Sequence, residues 1–178
     1  ELFDEIFGGG TTSRLYIALA VKEKVATGIG SSYDDTTFSP GTFGIYGSPA
    51  PGKDIADVER AVDAEIAKVI KNGVTEAELA DAKTRLQAAA ILARDSLDGP
   101  AESIGEALAT GQTIDDVENW PENIAAVTLK DVDDAVRALF ADKSTSATGW
   151  LLPAEGQKAP LDAAAAANTT PVSSGPIR

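Results

Sequence analysis

The sequence contains no histidine and no cysteine. Without imidazole, the chain lacks the usual general base near neutral pH and the commonest ligand of catalytic zinc. Ser-His-Asp and Cys-His nucleophile arrangements are excluded within it, as are histidine-ligated zinc sites. Without thiols there is no disulfide, no thiolate catalysis and no thiolate metal site, and the redox compartment stays open. Positive charge is also scarce. Fifteen Lys and Arg stand against 28 Asp and Glu, for a net charge of -13 and a pI of about 4.3. No basic stripe or cluster interrupts that surplus, which argues against nucleic acid as a partner. No apolar run reaches the roughly 18 to 20 residues of a membrane helix, so no membrane insertion is expected. The opening residues, ELFDEIF, carry neither Met nor the basic segment of a leader, and read as an excised piece.

What is present is a chain of 178 residues, 43% apolar, enough for one domain with a real core. Leu2, Phe3, Ile6 and Phe7 fall on one helical face. The stretch FGGGTTSRLY follows. Its glycines Gly8, Gly9 and Gly10 stop the first helix. Thr11, Thr12 or Ser13 then caps a second, whose apolar stripe, Leu15 and Leu19, runs down to about Lys24. Thr27–Tyr33 and Thr42–Ser48 alternate as two strands of an antiparallel pair around a long loop ending in Pro40-Gly41.

Predicted helices then cover 53–72, stopped by Gly73, and 75 to about 93, opened by a capping box of Thr75 and Glu78. Shorter ones follow at 103–110, at 113–119 and from about Glu122, and Thr128 caps the last. Ser144–Leu152 reads as a final strand. Residues 154–178, rich in Ala, Pro and Ser, read as an extended or disordered tail. The order predicts an α+β fold, a mainly antiparallel sheet with helices packed on one face. Three strands make a thin sheet, so the domain at 1–153 is expected to lack its first strands.

The glycine run has three readings. A phosphate cradle of the G-x-x-x-x-G-K-[ST] kind needs a Gly-Lys pair and a preceding strand, and neither is present. A turn between two helices fits every residue. The same turn could also offer its exposed amides to an extended polypeptide, and spacing alone does not choose. The adjacent carboxylates Asp34-Asp35, Asp115-Asp116 and Asp133-Asp134 point apart on either a helix or a strand, which makes them poor dyads and poor metal sites. Surface or helix N-terminal charge suits them better. Trp120 and Trp150 read as core or interface residues. Arg14 and Lys22, two helical turns apart, are either a solvated face or a pair of cations for a peptide carbonyl or carboxylate.

Four stretches, FDEIFGGGTTSRLYIAL, GTFGIYGSPAPG, GVTEAELADAKTRL and NIAAVTLKDVDDAV, occur in that order between about Glu1 and Pro153. Together they resemble the second, non-catalytic half of the insulinase/pitrilysin-type zinc peptidases, the family of the mitochondrial processing peptidase and its bacterial relatives. In that family the active half carries an inverted H-x-x-E-H motif and a distal Glu. Zinc there polarises the scissile carbonyl and activates water, with Glu as general base. The second half has a similar fold without the motif, closes over the first like a clamshell, and helps hold an unfolded peptide.

For this chain the resemblance implies no catalytic residue, no metal site and no cofactor of its own, with zinc held by a partner half. The implied partners are that zinc-bearing domain or subunit and a peptide substrate, in a homo- or heterodimer. Family members often contribute an Arg and a Tyr from R-E-K-x-G-L-A-Y. Here the matching stretch is KEKVATGI, with Lys22 at the Arg position. With a short deletion Thr27 falls at the Tyr position, and without one Ile29 does. Lys is a point charge rather than a fork, so the pair is lost here and a partner subunit would supply it. The processing peptidase has a glycine-rich loop at this helix-turn-helix position of its non-catalytic subunit, implicated in substrate handling. The resemblance therefore makes Gly8, Gly9, Gly10 and Lys22 the substrate-binding candidates. It implies a periplasmic location for a bacterial source, with the cytoplasm as the alternative. The rival readings are a purely structural subunit, like the core proteins of respiratory complexes, and an unrelated acidic binding module.

Overall fold

In the computed structural model, which describes residues 1–34, 37–94 and 99–152, the apolar face of the first segment nucleates the core. Helix α1, Leu2–Phe7, buries Leu2, Phe3, Ile6 and Phe7. Phe3 and Phe7 stack with their ring centroids 5.0 Å apart, and Phe43 and Phe140 complete an aromatic cluster around Phe3. After the glycine turn the chain re-enters helix at Arg14, then widens into a π-helix over Tyr16–Lys22. Leu15 and Leu19 are fully buried there, as the predicted stripe requires.

The strands form where the alternation placed them. Strand β1, Ala26–Asp34, pairs antiparallel with β2, Thr42–Pro49, in a two-stranded sheet. The register sets Ile29 opposite Gly47, Gly30 opposite Tyr46 and Ser31 opposite Ile45. Ile29, Phe43 and Ile45 face the core, while Tyr46 is exposed. The helices lie on that core face, so the predicted α+β class holds.

Helix α2, Ile55–Asn72, opens on a capping box between Asp54 and Asp57 and ends at Gly73, whose φ of 71° a Cβ would disfavour. Helix α3, Glu76–Arg94, packs along α1 and buries Leu79 and Ala82. The short helices α4 (Gly99–Ala109), α5 (Ile114–Glu118) and α6 (Trp120–Ala126) follow. Helix α7, Leu129–Leu139, returns to α2 and buries Val132 and Val136. Thr113 and Thr128 each cap their helix in a capping box with the Asp three positions on.

Residues Glu1–Ser146 make one compact unit. The described part of a second unit, Ala147–Leu152, has neither helix nor strand, and Trp150, Leu151 and Leu152 are exposed in it. This corrects the predicted final strand. A 3₁₀ turn occupies Lys143–Thr145, and among the described residues no ladder partner pairs with those that follow. An extended segment makes a strand only where a neighbouring strand takes its backbone groups. Trp150 is accordingly outside the core, whereas Trp120 packs against it and donates its indole N–H to Glu1 at 2.7 Å. The expected tail, 154–178, lies outside the described residues. Among the described residues, no helix is long and apolar enough to cross a membrane.

Candidate functional site

The glycine turn and the helix after it are tied to α3 by one side chain. Arg14 Nε donates to Glu78 Oε1 at 2.5 Å and Arg14 Nη2 donates to Glu78 Oε2 at 2.6 Å. The same Nη2 donates to the Gly73 carbonyl at 3.0 Å, one of the orphan acceptors at the end of α2. Glu78 in turn accepts from the Thr75 amide at 2.8 Å and the Thr75 hydroxyl at 2.7 Å, the predicted capping box. Hydrogen bonds from Arg14 first, and then from Thr75, hold the Glu78 carboxyl down at about 2. Arg14 does grip a carbonyl and a carboxylate, as one reading of its sequence position required, but both belong to its own chain.

Beside this anchor lies an open groove of about 520 Å³ at the meeting of the π-helix with α2 and α3. Ile6, Ile17 and Ala18 supply its apolar lining, and Thr12, Lys22 and Asp81 are among its polar residues. Its other cations are committed: Arg14 to Glu78, Lys68 to Glu65, and Arg85 to Glu5. Lys22 closes the π-helix, is exposed, and has no ion-pair partner among the described residues.

The structure separates the four substrate-binding candidates. Lys22 lines the groove, and the glycines do not. Gly8 is buried, with its carbonyl accepting from the Ser31 amide at 3.3 Å. A Cβ there would come within 2.7 Å of the Ser31 Cβ and closer still to that residue's amide and hydroxyl. The Ser31 hydroxyl in turn donates to Asp4 Oδ1 at 2.5 Å. Gly9 and Gly10 are exposed at the tip of the turn. Of the two residues aligned with the family's Tyr, Ile29 is buried in the core, and Thr27 is exposed with its hydroxyl 3.4 Å from the Ser48 carbonyl.

Asp35 lies outside the described residues, and the other two carboxylate pairs split as their geometry requires. Asp116 caps α5, Asp133 accepts from the Val74 amide at 3.1 Å, and Asp134 pairs with Lys130 and Arg137. Among the described residues no group of three or more His, Cys, Asp or Glu could hold a metal ion. The described side chains do not fit zinc: carboxylates that are dispersed, capped or ion-paired offer neither the nitrogen or sulfur donors nor the convergence that a tetrahedral site needs.

Comparison with known proteins adds a frame to this geometry. A family model for the peptidase M16 inactive domain matches residues 1–86. An uncharacterized zinc protease of Rickettsia felis is 31% identical over 147 residues, which span 83% of this chain and 35% of that protein. The chain thus spans about a third of the length of the curated relatives it matches. The inactive peptidase domain of a candidate zinc protease from Bordetella parapertussis shares the fold with a TM-score of 0.74 at 23% identity, over 87% of this chain and 82% of that one. A peptidase M16 inactive domain from Pseudomonas fluorescens does so with a TM-score of 0.68 at 22% identity, over 77% of this chain and 32% of that one. The matched residues 1–86 include both ends of the Arg14–Glu78 tie.

Proposed function

The chain belongs to the peptidase M16 family as its inactive domain, and from that premise we propose that it is the non-catalytic half of a zinc endopeptidase, closing over a zinc-bearing half and helping to hold unfolded peptide. The observation that carries this reading is Lys22. It is a cation without an ion-pair partner among the described residues, in a groove of mixed polar and apolar lining whose other cations are all paired. An unpaired ammonium at such a place can take a peptide carbonyl or a carboxylate as a point charge. The turn at Gly8, Gly9 and Gly10 contributes the exposed backbone of Gly9 and Gly10 outside that groove, with Gly8 as the fixed base. In this reading zinc is held by the partner half, in keeping with the lack of a converging donor set among the described residues. The periplasm is the proposed location.

The test is reconstitution with the zinc-bearing half of the same protein. The chain alone is expected neither to bind stoichiometric zinc nor to hydrolyse peptide, and the reconstituted pair is expected to do both. Lys22→Ala is then expected to raise KM several-fold with kcat little changed, the signature of lost uniform binding. Zinc-dependent cleavage by the pure chain, abolished by chelator, would overturn the assignment. An unchanged KM in Lys22→Ala would remove Lys22 from substrate binding. A pair that assembles but never cleaves would favour the structural-subunit reading.

A further inference from the structure

The chain has one Asn-Gly pair, Asn72-Gly73, and the structure places it where α2 ends. That dipeptide carries a chemistry of its own. The backbone nitrogen after an asparagine can attack the side-chain carboxamide, and glycine, with no Cβ, leaves that nitrogen unhindered. Asn72 is exposed, and its side chain has no hydrogen-bond partner among the described residues. The electrophile is therefore free.

The nucleophile is held. Gly73 is buried, and its N–H donates to the Val69 carbonyl at 2.8 Å. Its carbonyl accepts from Arg14 Nη2 at 3.0 Å, and the Val74 amide donates to Asp133 Oδ1 at 3.1 Å. The peptide group after Gly73 is thus pinned at both ends, by Arg14 from the glycine turn and by Asp133 from α7. To react, the Gly73 nitrogen must give up its proton to base and swing onto Asn72 Cγ. The first step needs the bond to Val69 broken. The second needs the backbone freed from Arg14 and Asp133.

We propose that Asn72 is a site of spontaneous deamidation that reacts only when the corner between α2 and α3 opens. The deprotonated Gly73 nitrogen bonds to Asn72 Cγ, the Cγ–Nδ2 bond breaks, and the leaving nitrogen takes up a proton and departs as ammonia. Water then opens the cyclic imide at either carbonyl, giving aspartate or isoaspartate. Either product puts a carboxylate at the C-terminal end of α2, where the helix dipole disfavours it. Isoaspartate also adds a methylene to the backbone just before Gly73. That shifts the Gly73 carbonyl away from Arg14 and the Val74 amide away from Asp133, so the product corner is looser than the original. This inference is independent of the peptide-binding reading.

Peptide mapping by mass spectrometry tests it, on the complete polypeptide that carries this chain, incubated at mildly alkaline pH. A synthetic peptide of residues 67–78, too short for a stable isolated helix, is the unheld reference. Asn119 and Asn123, followed by Trp120 and Pro-free, bulky Ile124, are internal controls. Folded wild type is expected to convert Asn72 about 10-fold or more slowly than the peptide does. Asp133→Ala frees the Val74 amide, and Arg14→Lys loosens the Gly73 carbonyl. Both are expected to speed conversion toward the peptide rate, in step with faster hydrogen exchange of the Gly73 amide. Equal rates in folded wild type and peptide overturn the proposal, and so does a peptide in which Asn72 stays intact. Faster Gly73 exchange in either variant without faster conversion overturns it as well, since opening is then not what limits the reaction.

Discussion

Arg14 and Glu78, 64 residues apart in the chain, meet in a two-point contact at 2.5 and 2.6 Å. That contact joins the end of the glycine turn to the first turn of α3. Through the Gly73 carbonyl it also fixes the corner between α2 and α3. The two most distinctive motifs of the sequence, GGGTTSRLY and GVTEAEL, are therefore two ends of one structural tie.

Arg14→Lys keeps the charge and loses the planar fork. It is expected to lower stability by about 1–2 kcal/mol, the range for hydrogen bonds to charged groups discounted for partial exposure. The urea midpoint should fall with the slope unchanged. Glu78→Gln removes the pair and weakens the capping box, so its loss is expected to be at least as large. Midpoints matching wild type in both variants would mean that the tie contributes nothing to stability.

The same carboxylate makes stability depend on acid. Folded Glu78 holds its proton with a pKa of about 2, below the roughly 4.3 of an unfolded Glu. As pH falls, the unfolded chain takes up that proton first. The stabilisation is therefore complete above about pH 4.5 and is lost as pH falls toward about 2. The gap in stability between wild type and Glu78→Gln is expected to narrow across that window. The helix-capping carboxylates Asp57, Asp116 and Asp131 are also lowered, so they add slope of the same sign. They are present in both proteins and cancel in the comparison. A gap that stays constant from about pH 6 to 2 in urea titrations would contradict the linkage.

Much of this fold is legible in the sequence, for local reasons. Caps at Thr75 and Thr128, the stop at Gly73 and the alternation of the two strands are written within a few residues of where they act. The family likeness rests on the same short motifs. What the sequence hides is long-range or a matter of pitch. Apolar spacing at Leu15 and Leu19 does not distinguish 3.6 residues per turn from the wider π-helix. The partner of Arg14 lies two elements away, so its side chain reads equally well as solvated or substrate-facing. Ser144–Leu152 reads as a strand, but a strand needs a neighbour that local sequence cannot name. At the candidate site, Lys22 was legible through its position in KEKVATGI. The groove it lines was not, because its walls come from α2 and α3.

Two glycines should respond oppositely to alanine. In Gly8→Ala the new methyl collides with Ser31 and disturbs its bonds to Asp4 and to Gly8 itself. Melting is expected to show a loss of about 1–3 kcal/mol, the range for overpacking. Gly105 lies inside α4 with open space where a Cβ would go. Gly105→Ala is expected to gain about 0.5–1 kcal/mol from helix propensity. A neutral Gly8→Ala would free that glycine from its packing role and leave substrate contact as its explanation.

Lys24 has a φ of 53°, the one non-glycine residue with positive φ among the described residues. It sits just past the π-helix, where the Val25 amide reaches back to the Leu19 carbonyl at 2.8 Å and closes the turn. A side chain in the left-handed region is strained by about 1–2 kcal/mol. Glycine removes that strain, at an entropic cost of about 0.5–1 kcal/mol in the unfolded chain. Lys24→Gly is therefore expected to raise stability by about 0.5 kcal/mol, with Lys24→Asn between it and wild type. Lys24→Ala keeps the strained backbone and should gain nothing. The sign of the glycine change decides the matter. If the left-handed turn is the native conformation, glycine stabilises. If the native backbone at Lys24 is ordinary, only the entropic cost remains and the midpoint falls.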